Sequence, residues 1–260
     1  MIAENKLKKE IVHFSHKLDQ KGFVANHDGN ISIKQGKRIW ATPTAQNKGD
    51  ITEEMLVILD DQGKKISGTH SVFSEIDLHL ACYRLRPDIT AVVHAHPAVA
   101  TSFAVTGTPL QKVFIAEAVV TLGDEIPLVP FIPPGCPDTQ KTLSNYLPYF
   151  DVVLLQNHGV LAVGTTLAQA YYRLELVEHL AKIEWHSKPF GSPKVLPEKT
   201  VAKLLEKRQK AGLGHPKPVI LTSSESGGKD SLVQNKAISN LDQIIAEEVS
   251  RFLDHDSQKR

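Results

Sequence analysis

In AVVHAHPAVA, residues 91–100, two histidines stand two apart behind a run of apolar, β-branched residues. Side chains alternate along a strand, so His94 and His96 project from one face, about 7 Å apart along the chain, with Ala95 turned away. Imidazoles placed in this way can converge on one small ion. A third histidine lies in LLQNHGVL, where an apolar run meets Asn157, His158 and Gly159. Glycine there lets the backbone turn sharply and brings the imidazole to the mouth of a strand. Three protein ligands with a fourth position open is how a catalytic zinc ion is normally held. Glu75 joins the three histidines because it starts a helical segment that runs directly into the His94 strand. That makes it a fourth ligand or an acid–base group, set against the commoner use of such a residue as a favourable charge at a helix N-terminus.

A second set of residues suits an anion. In HDGNISIK, residues 27–34, Gly29 and Asn30 can form a tight turn that exposes backbone N–H groups, and Ser32 and Lys34 follow. In ATPTAQNKG, residues 41–49, Thr42 and Thr44 add hydroxyls. Together they fit a phosphate on a small molecule, although turn residues between strands look alike when they bind nothing. The pattern is neither a Walker loop nor a dinucleotide fingerprint.

The elements that must position these groups read as a compact α/β core. Leu7, Ile11, Val12, Phe14 and Leu18 recur at helical spacing and stop at Gly22, which predicts a helix over 3–21. NISIK, RIWAT and MLVILD read as short strands between Gly, Asp and Asn punctuation. SEIDLHLACYRLR opens with a cap-like Ser74 and reads as a helix stopped by Pro87. The strand ITAVVHAH, a helix from about Pro97 to Val105, the apolar segment KVFIA, then EIPLVPF, DVVLLQNHGVLAVG and the long helix LAQAYYRLELVEHLAKIEWHS complete the core.

Composition limits what this core can do. Thirty basic and 29 acidic residues leave a net charge of +1, so no global field recruits nucleic acid or an anionic membrane. Two cysteines, Cys82 and Cys136, are too few for a disulfide scaffold, and together with the charged N-terminus they suggest a soluble cytoplasmic protein. The composition changes late in the chain. Residues 217–235 read as a flexible linker rich in Ser, Gly and Lys. Residues 236–260 carry Ile238, Leu241, Ile245, Val249 and Phe252 at helical spacing. Such a helix packs on its own domain or a sister subunit, or seats on another protein.

GNISIK, TPT, SEIDLHLACYRLRPDITAVVHAHP and QNHGVLAVG, in this order and at these separations, resemble the class II aldolase/adducin family, most closely its L-fuculose-1-phosphate aldolase branch, over about residues 5–212. The resemblance implies an α/β/α sandwich around a mostly antiparallel central sheet, with residues 1–216 as the catalytic domain and a homotetramer with active sites between subunits. It implies zinc on His94, His96 and His158, Glu75 as acid–base and Gly29, Asn30, Thr44 and Ser74 at phosphate-contact positions. The substrate class it implies is a ketose-1-phosphate (fuculose, rhamnulose or a deoxypentulose phosphate), cleaved to dihydroxyacetone phosphate and an aldehyde such as lactaldehyde. Dehydration, 4-epimerisation and a non-catalytic adducin-like module are the alternatives on the same scaffold. The tail resembles peptides that carry enzymes into bacterial microcompartments by docking on a shell protein.

The chain departs from the family pattern at three places. Phe73 precedes Ser74 where two serines are common, and Ala45 follows TPT where glycine is frequent. The aldolases draw a tyrosine from the segment between the histidine pair and the IP strand, which here reads PLQKVFIAEAVVTLGDEIPLVPF and has none. Glu117 is its most conspicuous proton carrier, and a glutamate in this region serves as base in the related methylthioribulose-phosphate dehydratases. A helix-start charge or an intersubunit ion pair is the plainer use of Glu117.

Overall fold

The computed structural model describes residues 4–110, 114–133, 135–191 and 193–213. The linker and amphipathic helix expected over 217–260 lie outside the described residues. Within them, one sheet carries β1 (Asn30–Gln35), β2 (Arg38–Ala41), β3 (Val57–Asp60), β4 (Lys65–Ser67), β5 (Ala91–Ala95), β6 (Leu128–Val129), β7 (Val152–Leu155) and β8 (Gly159–Gly164). Their order is β4-β3-β2-β1-β5-β8-β7-β6. Each pairing is antiparallel except that of β6 with β7, which is parallel.

The helices are α1 (Glu4–Gln20), α2 (Ile76–Leu85), α3 (Ala98–Val105), α4 (Ala116–Leu122), α5 (Thr139–Leu143), α6 (Leu167–Ser187) and α7 (Glu198–Lys210). Period-two alternation divides the strands between two apolar cores. Ala91, Val93 and Ala95 face one core with α1, α3 and α6, whereas Val92 faces the other with α2 and α5. The expected α/β/α sandwich around a mostly antiparallel sheet is therefore the observed architecture.

Local readings differ from the structure in four places. Ser74 does not cap α2, because Glu75 takes the N-cap position and makes no capping bond to the helix. EIPLVPF contributes only the two-residue β6. Phe114 and Ile115 of KVFIA lead into α4, whose seven residues are too few for helical periodicity to stand out. Gly29 and Asn30 are buried, and Asn30 already belongs to β1 rather than to an open turn.

Two long-range contacts hold the strand ends. The α3 helix begins two residues after His96, behind Pro97, which has no side chain to cap it. Glu178 of α6 supplies that function, accepting from the N–H groups of Val99 and Ala100 at 3.3 and 2.8 Å. At the opposite end of the central strands Asp151 is 1% exposed and pairs with Arg86, Arg173 and Arg208 at 3.0, 2.8 and 2.7 Å. Arg86 also binds Asp88 and the Leu147 carbonyl, and Arg208 binds the Val120 and Thr121 carbonyls near the end of α4. One carboxylate thus ties α6, α7 and the segment after α2 to the start of β7.

Candidate metal centre and active site

The three histidines meet. His94 sits on β5, on the face shared with Val92, and is wholly buried. His96 lies just past the end of β5, where its N–H donates to the Phe23 carbonyl. His158 occupies the three-residue turn between β7 and β8, whose flanking pair is Leu155 with Gly159. The Nε2 atoms of His96 and His158 lie 3.0 and 3.2 Å from Nε2 of His94, and the three candidate ligand atoms lie within 4.8 Å of one another. Nitrogens around a tetrahedral zinc stand about 3.3 Å apart, so the set fits one divalent ion.

His94 is also held in the tautomer that binds metal. Nδ1–H of His94 donates to the Val160 carbonyl at 2.9 Å, which leaves the Nε2 lone pair free. Burial pushes the His94 imidazole well below its ordinary range, against the pull of Glu75, and burial likewise lowers His96. Asp28 stands 3.4 Å from Nδ1 of His96 and orients that ring. Asp28 lies inside HDGNISIK, but nothing in that motif marks it as a partner of His96.

The sharp turn before β8 has a different origin from the one expected. Asn157, at φ 56°, adopts the left-handed conformation that asparagine tolerates. Gly159 is needed for space: a Cβ there would lie 2.5 Å from Cδ2 of His96 and 2.6 Å from the Ala95 carbonyl oxygen. A side chain at 159 would push on the histidine cluster itself.

Glu75 faces the cluster rather than its own helix. Its Oε1 is 2.6 Å from Nε2 of His158 and its Oε2 is 3.6 Å from Nε2 of His94. Asn30 donates from Nδ2 to Oε2 at 2.8 Å. Burial alone would raise this carboxyl, but the His158 hydrogen bond, the charges of His94 and His158 and the Asn30 donor together hold it well below the usual carboxylate range. A recess beside it is lined by Glu75, Leu78, Ile132, Pro133, Thr139 and His158 among others.

The remaining expected residues divide. Thr44 donates its N–H to the Ser71 carbonyl, and Pro43 bridges Val72, so the Thr44 segment runs beside the one leading to Ser74. Gly29 has φ 71° and packs against the His94 carbonyl, where a Cβ would stand 2.9 Å away. The Asn30 carboxamide is committed to His79 and Glu75. Ala45 holds φ 55°, which explains why glycine suits this position. Glu117 is exposed in the first turn of α4 and is not among the residues lining the recess.

Comparison with known proteins gives this geometry a family. Residues 9–185 match the Class II Aldolase and Adducin N-terminal domain. The chain belongs to the class II aldolase and adducin family. It is 33% identical over 175 residues to an L-fuculose phosphate aldolase of Methanococcus vannielii, covering 67% of this chain and 93% of the relative. A 5-deoxy-D-ribulose 1-phosphate aldolase of Bacillus thuringiensis is 30% identical over 204 residues, covering 78% of this chain and 95% of the relative. Among solved structures, an L-fuculose 1-phosphate aldolase superposes with a TM-score of 0.73 at 29% identity, over 80% of this chain and 98% of the other. As a class II aldolase-like chain it is placed among the lyases. No described helix is long and apolar enough to cross a membrane, and both cysteines are free thiols.

Proposed function

We propose that this chain is a zinc-dependent aldehyde-lyase that cleaves a ketose-1-phosphate into dihydroxyacetone phosphate and a short aldehyde. The observation that carries the reading is the convergence of three imidazoles on one another, with a half-buried carboxylate, Glu75, against two of them. His94, His96 and His158 would hold the zinc, which when bound supplies Lewis acidity to the ketose carbonyl oxygen and the adjacent hydroxyl.

The chain's own residues handle the protons. Retro-aldol cleavage removes the C4 hydroxyl proton, breaks the C3–C4 bond and adds a proton to C3. Glu75, fixed by Asn30 beside the histidines, removes the C3 proton in the condensation direction and, once it has taken a proton from solvent, delivers one to C3 in cleavage. Glu117 takes the C4 hydroxyl proton. Its exposed place on α4 suits work across a subunit boundary in the homotetramer that the family resemblance implies. Gly29, Asn30, Thr44 and Ser74 receive the phosphate, with backbone N–H groups and two hydroxyls as donors. The tail beyond 216 would direct the enzyme to a microcompartment shell, where a reactive aldehyde product is confined. Deleting 217–260 should then leave turnover intact and abolish recruitment to shell protein.

The deciding experiment incubates zinc-loaded protein with a panel of ketose-1-phosphates and couples triose formation to a reductase, beside His96→Ala and Glu117→Gln. Wild type should release dihydroxyacetone phosphate, His96→Ala should release none, and Glu117→Gln should turn over at least about tenfold more slowly. Substrate loss without triose would replace the reading by a dehydratase or epimerase. No turnover of any substrate would favour the adducin-like module.

A further inference from the structure

From Glu75 a line of buried polar side chains crosses between the sheet and α2. Ser32 Oγ is 2.7 Å from the Tyr83 hydroxyl and 2.7 Å from Nδ1 of His79, and Nε2 of His79 is 2.6 Å from Oδ1 of Asn30. Asn30 then donates to Glu75. Tyr83, Ser32, His79 and Asn30 are all buried, His79 and Ser32 completely. Four polar side chains in a core that apolar residues could fill at lower cost require a reason.

The line has one direction, and Glu75 sets it. A carboxylate accepts only, so Asn30 must turn its NH2 toward Glu75 and its carbonyl oxygen toward His79. His79 must then carry its proton on Nε2 and leave Nδ1 as acceptor. The Ser32 hydroxyl must donate to Nδ1, and its oxygen accepts from Tyr83. Each link permits one arrangement, and together they prevent the Asn30 carboxamide from flipping. The imidazole is neutral at any working pH, since burial pushes it down to about 3, and the Phe73 ring packs against it at 5.0 Å.

Backbone geometry makes the line possible. Asn30 and Ser32 are two apart on β1, about 6.6 Å along a strand, while Glu75, His79 and Tyr83 recur at four-residue intervals, about 6 Å along a helix. The near match lets alternate residues of β1 meet successive turns of α2. The β1–β5 register sets Asn30 directly opposite His94, so the carboxamide that holds Glu75 is indexed to the metal ligand.

We propose that Tyr83, Ser32, His79 and Asn30 form a positioning relay, with His79 as the residue that fixes the Asn30 carboxamide and through it the Glu75 carboxylate over the reacting carbon. None of the first three touches the recess; they act through Asn30. The proposal rests on Glu75 being the acid–base group, and its test separates the two ideas.

The measurement is exchange of a carbon-bound hydrogen of dihydroxyacetone phosphate with D2O, followed by NMR on zinc-loaded enzyme. This exchange needs only the Glu75 proton transfer: the carboxylate takes the proton from carbon, trades it with solvent and returns a deuteron. Glu75→Gln should abolish it. His79→Leu, which keeps bulk and loses the donor, should slow it at least about tenfold at saturating triose phosphate, with zinc content and the half-saturating concentration unchanged. His79→Gln, whose amide can again donate to Asn30, should recover most of the rate. Normal exchange in a folded, zinc-loaded His79→Leu protein, with Glu75→Gln inactive, would overturn the relay. Normal exchange in Glu75→Gln would instead overturn the role of Glu75. If His79→Leu does not fold, Ser32→Ala breaks the same line with little change in volume, and wild-type exchange there would overturn the proposal, whereas slowed exchange supports it.

Discussion

At the scale of single residues, the candidate metal centre is sensitive to a methyl group at position 159. Because a Cβ at position 159 would meet Cδ2 of His96 and the Ala95 carbonyl oxygen, Gly159→Ala must displace the imidazole or the turn. We expect zinc affinity to fall at least about tenfold, the range seen when a ligand's support is disturbed, while the far-ultraviolet circular dichroism stays native. Chelator competition measures it, and unchanged affinity would show that the ring can yield without leaving the site. The ligand types were legible in the sequence because the His-x-His pair is joined in the chain by a third histidine in Asn157-His158-Gly159 and by the Ser74-Glu75 helix, a combination that resembles the family's pattern. The need for glycine at 159 was misread as a turn requirement, since a one-dimensional motif gives no sign of which side chain packs against a backbone. His79 went unread for the same reason: its i+4 spacing from Glu75 was visible, but on an apolar helix face it has meaning only once Asn30 is opposite.

At the scale of elements, the seam between α2 and β1 predicts a specific acid sensitivity. His79 stays neutral in the folded protein down to about pH 3, whereas in the unfolded chain it takes up a proton near its ordinary pKa of 6.5. Between those values the unfolded state binds the extra proton, so stability is fully present above pH 6.5 and is lost as the pH falls. The loss is about 1.4 kcal/mol per unit, or about 2 kcal/mol by pH 5. Urea denaturation at pH 7 and pH 5 should show this loss in wild type and less of it in His79→Gln. Parallel losses in the two proteins would assign the acid sensitivity elsewhere. Helix α1 was legible because it buries an apolar stripe, Leu7, Ile11, Phe14 and Leu18, long enough to show its period. The seven-residue α4 and the two-residue β6 were not, because their formation depends on neighbours rather than on local pattern.

At the scale of the whole molecule, Asp151 joins elements that the chain keeps far apart. Burial, with Arg208 and Arg86 nearby, pushes the Arg173 guanidinium down to about 10 against the pull of Asp151, so removing that carboxylate leaves buried positive charge uncompensated. Asp151→Ala should destabilise the fold by about 3–5 kcal/mol, lowering the melting temperature on the order of 10 °C. A scanning-calorimetry shift of under about 2 °C would show that water enters and replaces the carboxylate. No motif pointed to Asp151, Arg173 or Arg208, since ion pairs 57 residues apart in the chain, as in Arg208 with Asp151, leave no local pattern. The sequence by itself determined the separate helices and strands, because strand alternation and helix period are short-range properties, and its ordered motifs carried the resemblance that implied the family, the sandwich and the histidine ligands. Only the tertiary structure decided that Glu75 turns away from its helix toward the histidines, that Asn30 is held from behind and that Gly159 makes room for His96. Those outcomes depend on which backbone lies opposite which, and strand register is set by the packing of the whole sheet.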